Sequence, residues 1–401
     1  MSAVYLLLAA HILSMLGFST YAALLPQLRD EWRMSNAEAG VVSGMFFAGY
    51  IGTVSLWTAL TDRIDARKVY VAGSLFAALG SAGFGLAAGG FVSAVFSQVL
   101  LGVGVAATYM PGLRLLSDRV SGPSQSRYVA FYTSFFGIGT ALSLAIAGFI
   151  APAHGWRAAF VLSALGPLAA GGLVLGFISA LPQRGGRWSA QALFPLRAWQ
   201  RVIADRPSAG YTLGYMAHCL ELFGSRAWMV AFLAFSASLH RGDSFPWSLA
   251  AIAAVVNLLA VPASILGNEV ALRIGRRRWI LLVMAASGSS GLVLGWAAPW
   301  HWILVLALLV AYSMLVMAES GTLTAGLVAA APPELRGAAM GLYSLAGFAG
   351  GLLGPVVFGA ALDIAGGAAA PHAWIAAYAA IGAGCLAAPI VARINAKTAP
   401  R

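Results

Sequence analysis

Charge is what this 401-residue sequence has least of. Only 9% of its residues are Asp, Glu, Lys or Arg, where soluble globular domains carry about 25%. Because 60% are hydrophobic and the mean hydropathy is +0.83, a soluble globule is excluded and the apolar surface must be solvated by lipid. Cysteine is also scarce. Cys219 and Cys385 both lie in apolar runs, which leaves neither a disulfide framework nor a C-x-x-C metal site. There is no G-x-S-x-G elbow, no G-x-x-x-x-G-K-[ST] phosphate loop and no H-E-x-x-H helix. The sequence therefore offers no enzyme constellation, no cofactor site and no means of driving work with ATP.

The few charges are unevenly placed. Net charge is +11, which in a soluble protein would point to nucleic acid. Here the Lys and Arg residues gather in the connections 61–68, 114–127, 181–208 and 272–278, at Arg336 and in the tail. The alternate connections hold only Arg29, Arg33, Arg157 and Arg241. That asymmetry is the positive-inside pattern. It predicts two cytoplasmic termini, a cytoplasmic-membrane location of bacterial inner-membrane type, and no nucleic-acid partner. The first 26 residues have no charged n-region and no small-residue cleavage site, so they are expected to stay as the first span.

A span needs about 20 apolar residues, and turn or charge clusters divide the chain into twelve such runs. They fall at 4–27, 39–60, 69–89, 92–114, 128–150, 158–180, 209–235, 248–271, 279–298, 302–328, 338–362 and 372–392. The expected architecture is all-α and polytopic, with a six-helix bundle over 1–180 and another over 209–401. Between them, 181–208 carries Arg184, Arg187, Arg197, Arg201 and Arg206 with Trp188, Phe194 and Trp199. Such a mix suits an amphipathic linker on the anionic leaflet. Gly347, Gly350, Gly351, Gly354 and Gly359 supply the small-residue spacing that lets helices approach closely.

The two halves repeat. T-A-L-T-D-R-I-D-A-R-K-V-Y at 58–70 has a weaker copy, N-E-V-A-L-R-I-G-R-R-R-W, at 268–279; Arg273 follows Arg63 by 210 positions (273 − 63). A-H-I-L-S-M-L-G at 10–17 likewise returns as A-H-C-L-E-L-F-G at 217–224. The first motif resembles the loop between helices 2 and 3 of the major facilitator superfamily, G-x-L-x-D-R-x-G-R-R. Leu60, Asp62, Arg63, Arg67 and Lys68 agree with it, while Thr58, Asp65 and Ala66 depart from it. The resemblance implies a monomeric secondary transporter with helices 1, 4, 7 and 10 around a central site. It further implies a gate built on Asp62, Arg63 and Arg67, in which Asp62 docks near Gly337 at the start of helix 11.

Ionisable side chains within spans are rare and usually mark a pathway. Helix 7 carries His218, Glu221, Ser225 and Met229 on one stripe, and Arg226 is turned about 140° from Glu221, which makes an intrahelical ion pair unfavourable. The corresponding stripe of helix 1 is His11, Ser14, Met15 and Phe18, without a carboxylate. Histidine changes charge near neutral pH, so His218 with Glu221 is the expected proton-coupling group. Arg226, His218, His11 and Tyr312 are the expected substrate contacts. Glu319 sits on the Tyr312 and Thr322 face of helix 10 and is expected to pair with Arg114, as a site residue or as part of the gate. Met216, His218, Cys219 and Met229 are soft donors, but Cys219 points about 100° from His218 and no metal site is expected.

The reading that joins these features is proton-coupled uptake of a small polar or anionic organic solute by alternating access. Its competitors are export of amphiphilic compounds and a transport-inactive receptor on the same scaffold. Helix 11 contains G-G-L-L-G-P-V-V-F-G, similar to a pattern of the family's drug exporters, but helix 5 lacks the proline that pattern requires.

Overall fold

The computed structural model describes residues 2–121, 123–181, 195–240 and 245–397, and among these every regular element is helical. In chain order they are α1 (Ser2–Ser14), α2 (Thr20–Glu31), α3 (Asn36–Leu60), α4 (Ala66–Ala87), α5 (Phe91–Ser117), α6 (Pro123–Ser163) and α7 (Leu165–Phe177). There follow α8 (Leu196–Ala204), α9 (Arg206–Ser238), α10 (Leu249–Ile274), α11 (Arg276–Trp296), α12 (Trp302–Ala318) and α13 (Ser320–Ala330). A 3₁₀ turn at Pro333–Leu335 leads to α14 (Arg336–Ile364) and α15 (Pro371–Lys397).

Ten helical stretches among the described residues are long and apolar enough to cross a membrane. One of them, Arg127–Phe177, has 51 residues, roughly 76 Å of helix at 1.5 Å per residue. That is twice a hydrocarbon core of about 30 Å, so it holds two passages, which turn at Gly155, where φ of +82° favours glycine. With the broken helix α1–α2, the chain makes twelve passages, as its hydropathy predicts. Arg184, Arg187, Trp188 and Phe194 of the linker lie outside the described residues, as do Arg241 and Arg401.

Two expected spans, 4–27 and 302–328, are interrupted. Lipid offers no hydrogen bonds, so a broken helix must have its freed backbone groups satisfied by protein. Between α1 and α2 the side chain of Ser143, from α6, does this. Its hydroxyl donates to Leu16 O at 2.6 Å and accepts from Ser19 N at 2.9 Å. Between α12 and α13 the break falls on Glu319. There Trp279 Nε1 donates to Ala318 O at 3.1 Å and Gly321 N donates to Ser264 Oγ at 3.1 Å. Neither break is legible from hydropathy, since the side chains that permit it lie on distant helices.

The chain forms two compact units. The first comprises Met1–Trp32, Met45–Pro195 and Ser248–Leu258; the second comprises Arg33–Gly44, Leu196–Trp247 and Leu259–Arg401. In the first, Val4, Leu7, Leu8, Tyr70, Leu116, Tyr132 and Val174 share one buried cluster. Helices α4 and α5 meet backbone to backbone: a Cβ on Gly80 would stand 2.5 Å from Leu101 N. One end of this unit is tied by arginines. Asp65 caps α4, accepting from Arg67 N at 3.0 Å, and the Arg67 guanidinium bonds both Asp65, at 2.6 Å, and Ile178 O, at 2.7 Å. Arg119 adds a bond to Ser179 O. Arg67 and Arg119 thus close the carbonyls after α7, where cations are favoured.

In the second unit α9 and α14 lie so close that a Cβ on Gly354 would collide with Leu220 O. This is the use of the glycine run that its spacing predicts. Val202 of α8 is buried with Ile280, Leu327, Leu335 and Tyr343, fixing that described part of the linker to the unit. The N-terminus of α3 is held by Asp363 at the end of α14, whose carboxylate accepts from Asn36 N at 3.2 Å, Asn36 Nδ2 at 2.7 Å and Ala37 N at 2.8 Å.

Two stability measurements check these ties. Removing the hydroxyl in Ser143→Ala leaves Ser19 N without its partner in a buried setting and Leu16 O with only the longer bond from Thr20 Oγ1, at about 1–3 kcal/mol; a lower Tm of the detergent-purified protein is the expected result. Burial opposes ionisation of Asp65, but the hydrogen bonds and charge of Arg67 outweigh it and hold the carboxyl below its ordinary range. A depressed carboxyl contributes stability above its unfolded value, near 3.9, and loses it as pH falls through the folded one. Asp65→Asn should therefore lower Tm by less than about 1 kcal/mol equivalent at neutral pH, with the difference vanishing in acid.

Candidate functional site

Helix α9 is the most buried of the apolar stretches, and it carries the ionisable groups. His218, Glu221, Ser225 and Met229 are all buried along it, as a stripe at helical spacing predicts. His218 Nδ1 lies 3.1 Å from Glu319 Oε1. An imidazole nitrogen and a carboxylate oxygen at this distance share one proton, whichever atom holds it. Both side chains are essentially sealed, at 1% and 0% exposure. Glu319 Oε2 has no hydrogen-bond partner among the described residues.

The expected pairing of Glu319 with Arg114 is not what the structure shows. The helix break at Glu319 turns its carboxylate to α9 and His218. Arg114 instead bonds Asp62 Oδ1 at 2.5 Å and Thr61 Oγ1 at 2.7 Å, and approaches Asp118 at 3.5 Å, all within the first unit. Tyr312 and Thr322 are buried, but the break assigns them to different helices, α12 and α13. Arg63 is exposed in the turn after α3.

Glu221, one helical turn after His218, has a partner on α11, where Ser287 Oγ donates to Glu221 Oε2 at 3.0 Å. Beside His218 runs an aromatic ladder. Tyr215 stacks on Tyr343 at 3.9 Å between centroids and 8° between planes, and on His218 at 5.7 Å and 20°. Tyr343 in turn meets Thr324 Oγ1 at 3.0 Å. This ladder fixes the imidazole plane. Ser287 and Tyr215 escape a reading of the sequence alone. The only sign of Ser287 is a hydroxyl within an apolar run; Tyr215 is one helical turn before His218.

Arg226 is different in kind. It is half-buried, and its Nη2 donates to the Met317 sulfur at 3.5 Å. Among the described residues no carboxylate lies within 4.0 Å of it. A guanidinium within a span and without a counter-ion carries positive charge to spare. In the first unit His11 is fully buried, stacked on Tyr132 at 4.1 Å and near Tyr109 at 5.3 Å. Neither of its ring nitrogens is bonded among the described residues. The two repeat-related histidines thus differ as the sequence predicts: only His218 has an acid beside it. No three His, Cys, Asp or Glu residues gather as metal ligands among the described residues.

Comparison with known proteins places this arrangement. A family model described as Major Facilitator Superfamily matches residues 7–355. The chain is similar to the putative niacin/nicotinamide transporter NiaP of Bacillus subtilis, at 23% identity over 347 residues, covering 84% of this chain and 82% of that protein. It is also similar to the niacin transporter NiaP of Acinetobacter baylyi, at 23% over 144 residues, covering 36% of this chain and 33% of that protein. Among solved structures, the nucleoside transporter NupG shares the fold with a TM-score of 0.76 at 14% identity, covering 97% of this chain and 99% of that one. A bacterial homologue of the human lysosomal transporter Spinster gives 0.73 at 15% identity, covering 98% and 95%. With long apolar helices throughout the described residues and the family model matched over residues 7–355, this chain is a membrane transporter and belongs to the Major Facilitator Superfamily.

Proposed function

We propose that the protein takes up a small organic anion together with protons, by alternating access, and that a pyridine or benzene monocarboxylate such as nicotinate is the substrate class. The observation that carries this reading is Arg226, a membrane-embedded guanidinium with no acidic partner among the described residues and only the Met317 sulfur at its Nη2. Planar carboxylates match the fork of an arginine and form the stronger, charge-assisted kind of hydrogen bond. The printed substrate of two relatives, niacin, is such a carboxylate on an aromatic ring. His218, between Glu221 and Glu319, is the proton-responsive group in this reading, because it shares a proton with Glu319 and is shut away from solvent. His11 and Tyr312 are the further solute contacts in this reading, and both are buried, each within its own unit.

In the same proposal the repeats 1–180 and 209–401 are the moving bodies, 181–208 joins them on the cytoplasmic side, and the transporter works as a monomer. Asp62, Arg63, Arg67 and Arg114 form the cytoplasmic gate; the Asp62–Arg114 ion pair is its nearest observed part. The excess of Lys and Arg on one side supports cytoplasmic termini and insertion in the bacterial inner membrane.

Thermal shift and radioligand binding on the purified protein test the reading. Nicotinate should raise Tm in proportion to the logarithm of its excess over Kd, and uncharged nicotinamide should do so less. Arg226→Ala should weaken nicotinate binding about 10- to 100-fold, or about 1.4–2.7 kcal/mol. Stabilisation confined to lipophilic cations and indifferent to Arg226→Ala would point to export of amphiphiles instead. Binding without flux in proteoliposomes would point to a receptor.

A further inference from the structure

We infer that Glu319, and not Glu221, carries the coupling proton, and that its place at the break between α12 and α13 makes proton uptake a condition of anion binding at Arg226. This rests on the reading of Arg226 as the anion site.

The break sets two contacts within three residues. Met317 touches the Arg226 guanidinium, and Glu319, two positions on, meets His218. Both partners come from α9. They are eight residues apart, about 12 Å along the axis, and the Met317 and Glu319 side chains of one short segment reach one to each. The proton-sharing pair and the unpaired cation are therefore neighbours on one short segment.

Charge decides the order of events. With one shared proton and nothing more, the His218–Glu319 pair has a net charge of −1; a second proton makes it neutral. An anion brought to Arg226 beside a negative pair meets strong repulsion where water is scarce, and beside a neutral pair it does not. Anion and proton thus enter together, and the empty and the fully loaded carrier have the same net charge.

The other groups around Glu319 do not compete for this role. Cys219, Glu221 and Arg226 face it or its partner from α9, Tyr343 from α14 and Cys385 from α15. Ordinary tyrosine and cysteine side chains titrate above neutral pH, and arginine stays charged throughout. From α10 and α11 the nearest polar contacts are Ser264 and Trp279, which do not titrate in this range. Glu221 accepts a hydrogen bond from Ser287, which favours a fixed charge state. Each acid has one oxygen without a partner among the described residues, but the other oxygen of Glu319 meets an imidazole, a proton-exchanging group, where that of Glu221 meets a serine hydroxyl.

The test is the pH dependence of nicotinate binding to the purified full chain between about pH 5.5 and 8, bracketing the range in which histidine switches. Binding that takes up one proton should weaken by about tenfold per pH unit on the alkaline side. In Glu319→Gln the affinity should vary by less than about twofold across the range, because the site is held in its neutral form. Glu221→Gln should keep the slope whatever its affinity. A slope that survives Glu319→Gln, or that disappears in Glu221→Gln alone, overturns the inference. Should Glu319→Gln fail to fold, Glu319→Asp gives the second reading: a slope whose midpoint is displaced along the pH axis supports the assignment and a profile identical to the wild type overturns it. Arg226→Ala binding nicotinate as tightly as the wild type would instead sink the anion site itself, an outcome separable from the proton slope.

Discussion

Everything in this protein follows from the absence of water around its middle. A backbone amide or an acid in hydrocarbon must find its partner inside the protein, and the chain has few polar side chains with which to provide one. Several are placed where a specific group needs one. Ser143 closes the gap between α1 and α2, Trp279 and Ser264 close the gap at Glu319, and Ser287 holds Glu221. Glycine does the complementary work, letting helices approach until their backbones touch.

Against that background, ionisable side chains with polar atoms left unsatisfied stand out. Burying a polar atom without a partner is costly, so their persistence calls for a use. Glu319 Oε2 lacks a partner among the described residues, and Arg226 has only a thioether. A proton and a carboxylate are the two species that would complete them. The first unit, by contrast, holds its histidine in a stack of tyrosines without any acid. The repeats have diverged in the opposite sense at Asp62, whose counterpart in the second copy is Leu272.

How much of this could be read from the chain varies with how local the cause is. The twelve passages are written in runs of apolar residues, and the α9 stripe of His218, Glu221 and Ser225 in helical spacing; both are short-range patterns and both are found. The breaks at 15–19 and at Glu319 depend on Ser143, Trp279 and Ser264, which are far away in sequence, and hydropathy smooths over them. The partner of Glu319 was legible only as a need. Counting available charges points to Arg114, whereas the break redirects the side chain to His218, an outcome fixed by backbone geometry. Arg67 reads as part of a moving turn, yet its guanidinium spends its bonds on Asp65 and on the carbonyl of Ile178.

The carboxylate of Asp363 at the head of α3 has a last consequence. Asp363 itself is exposed, and of its three hydrogen bonds the one to Ala37 N is exposed and the two to Asn36 are partly buried, so the contact sits at a rim where water competes for it from one side. The glycine contacts lower down, such as Gly40 against the backbone of Pro355, hold by shape and come apart only as a whole. The start of α3 is thus fastened like a press-stud over a fitted seam. The stud fixes where the seam begins along the two helices, and the seam fixes how near their axes can lie.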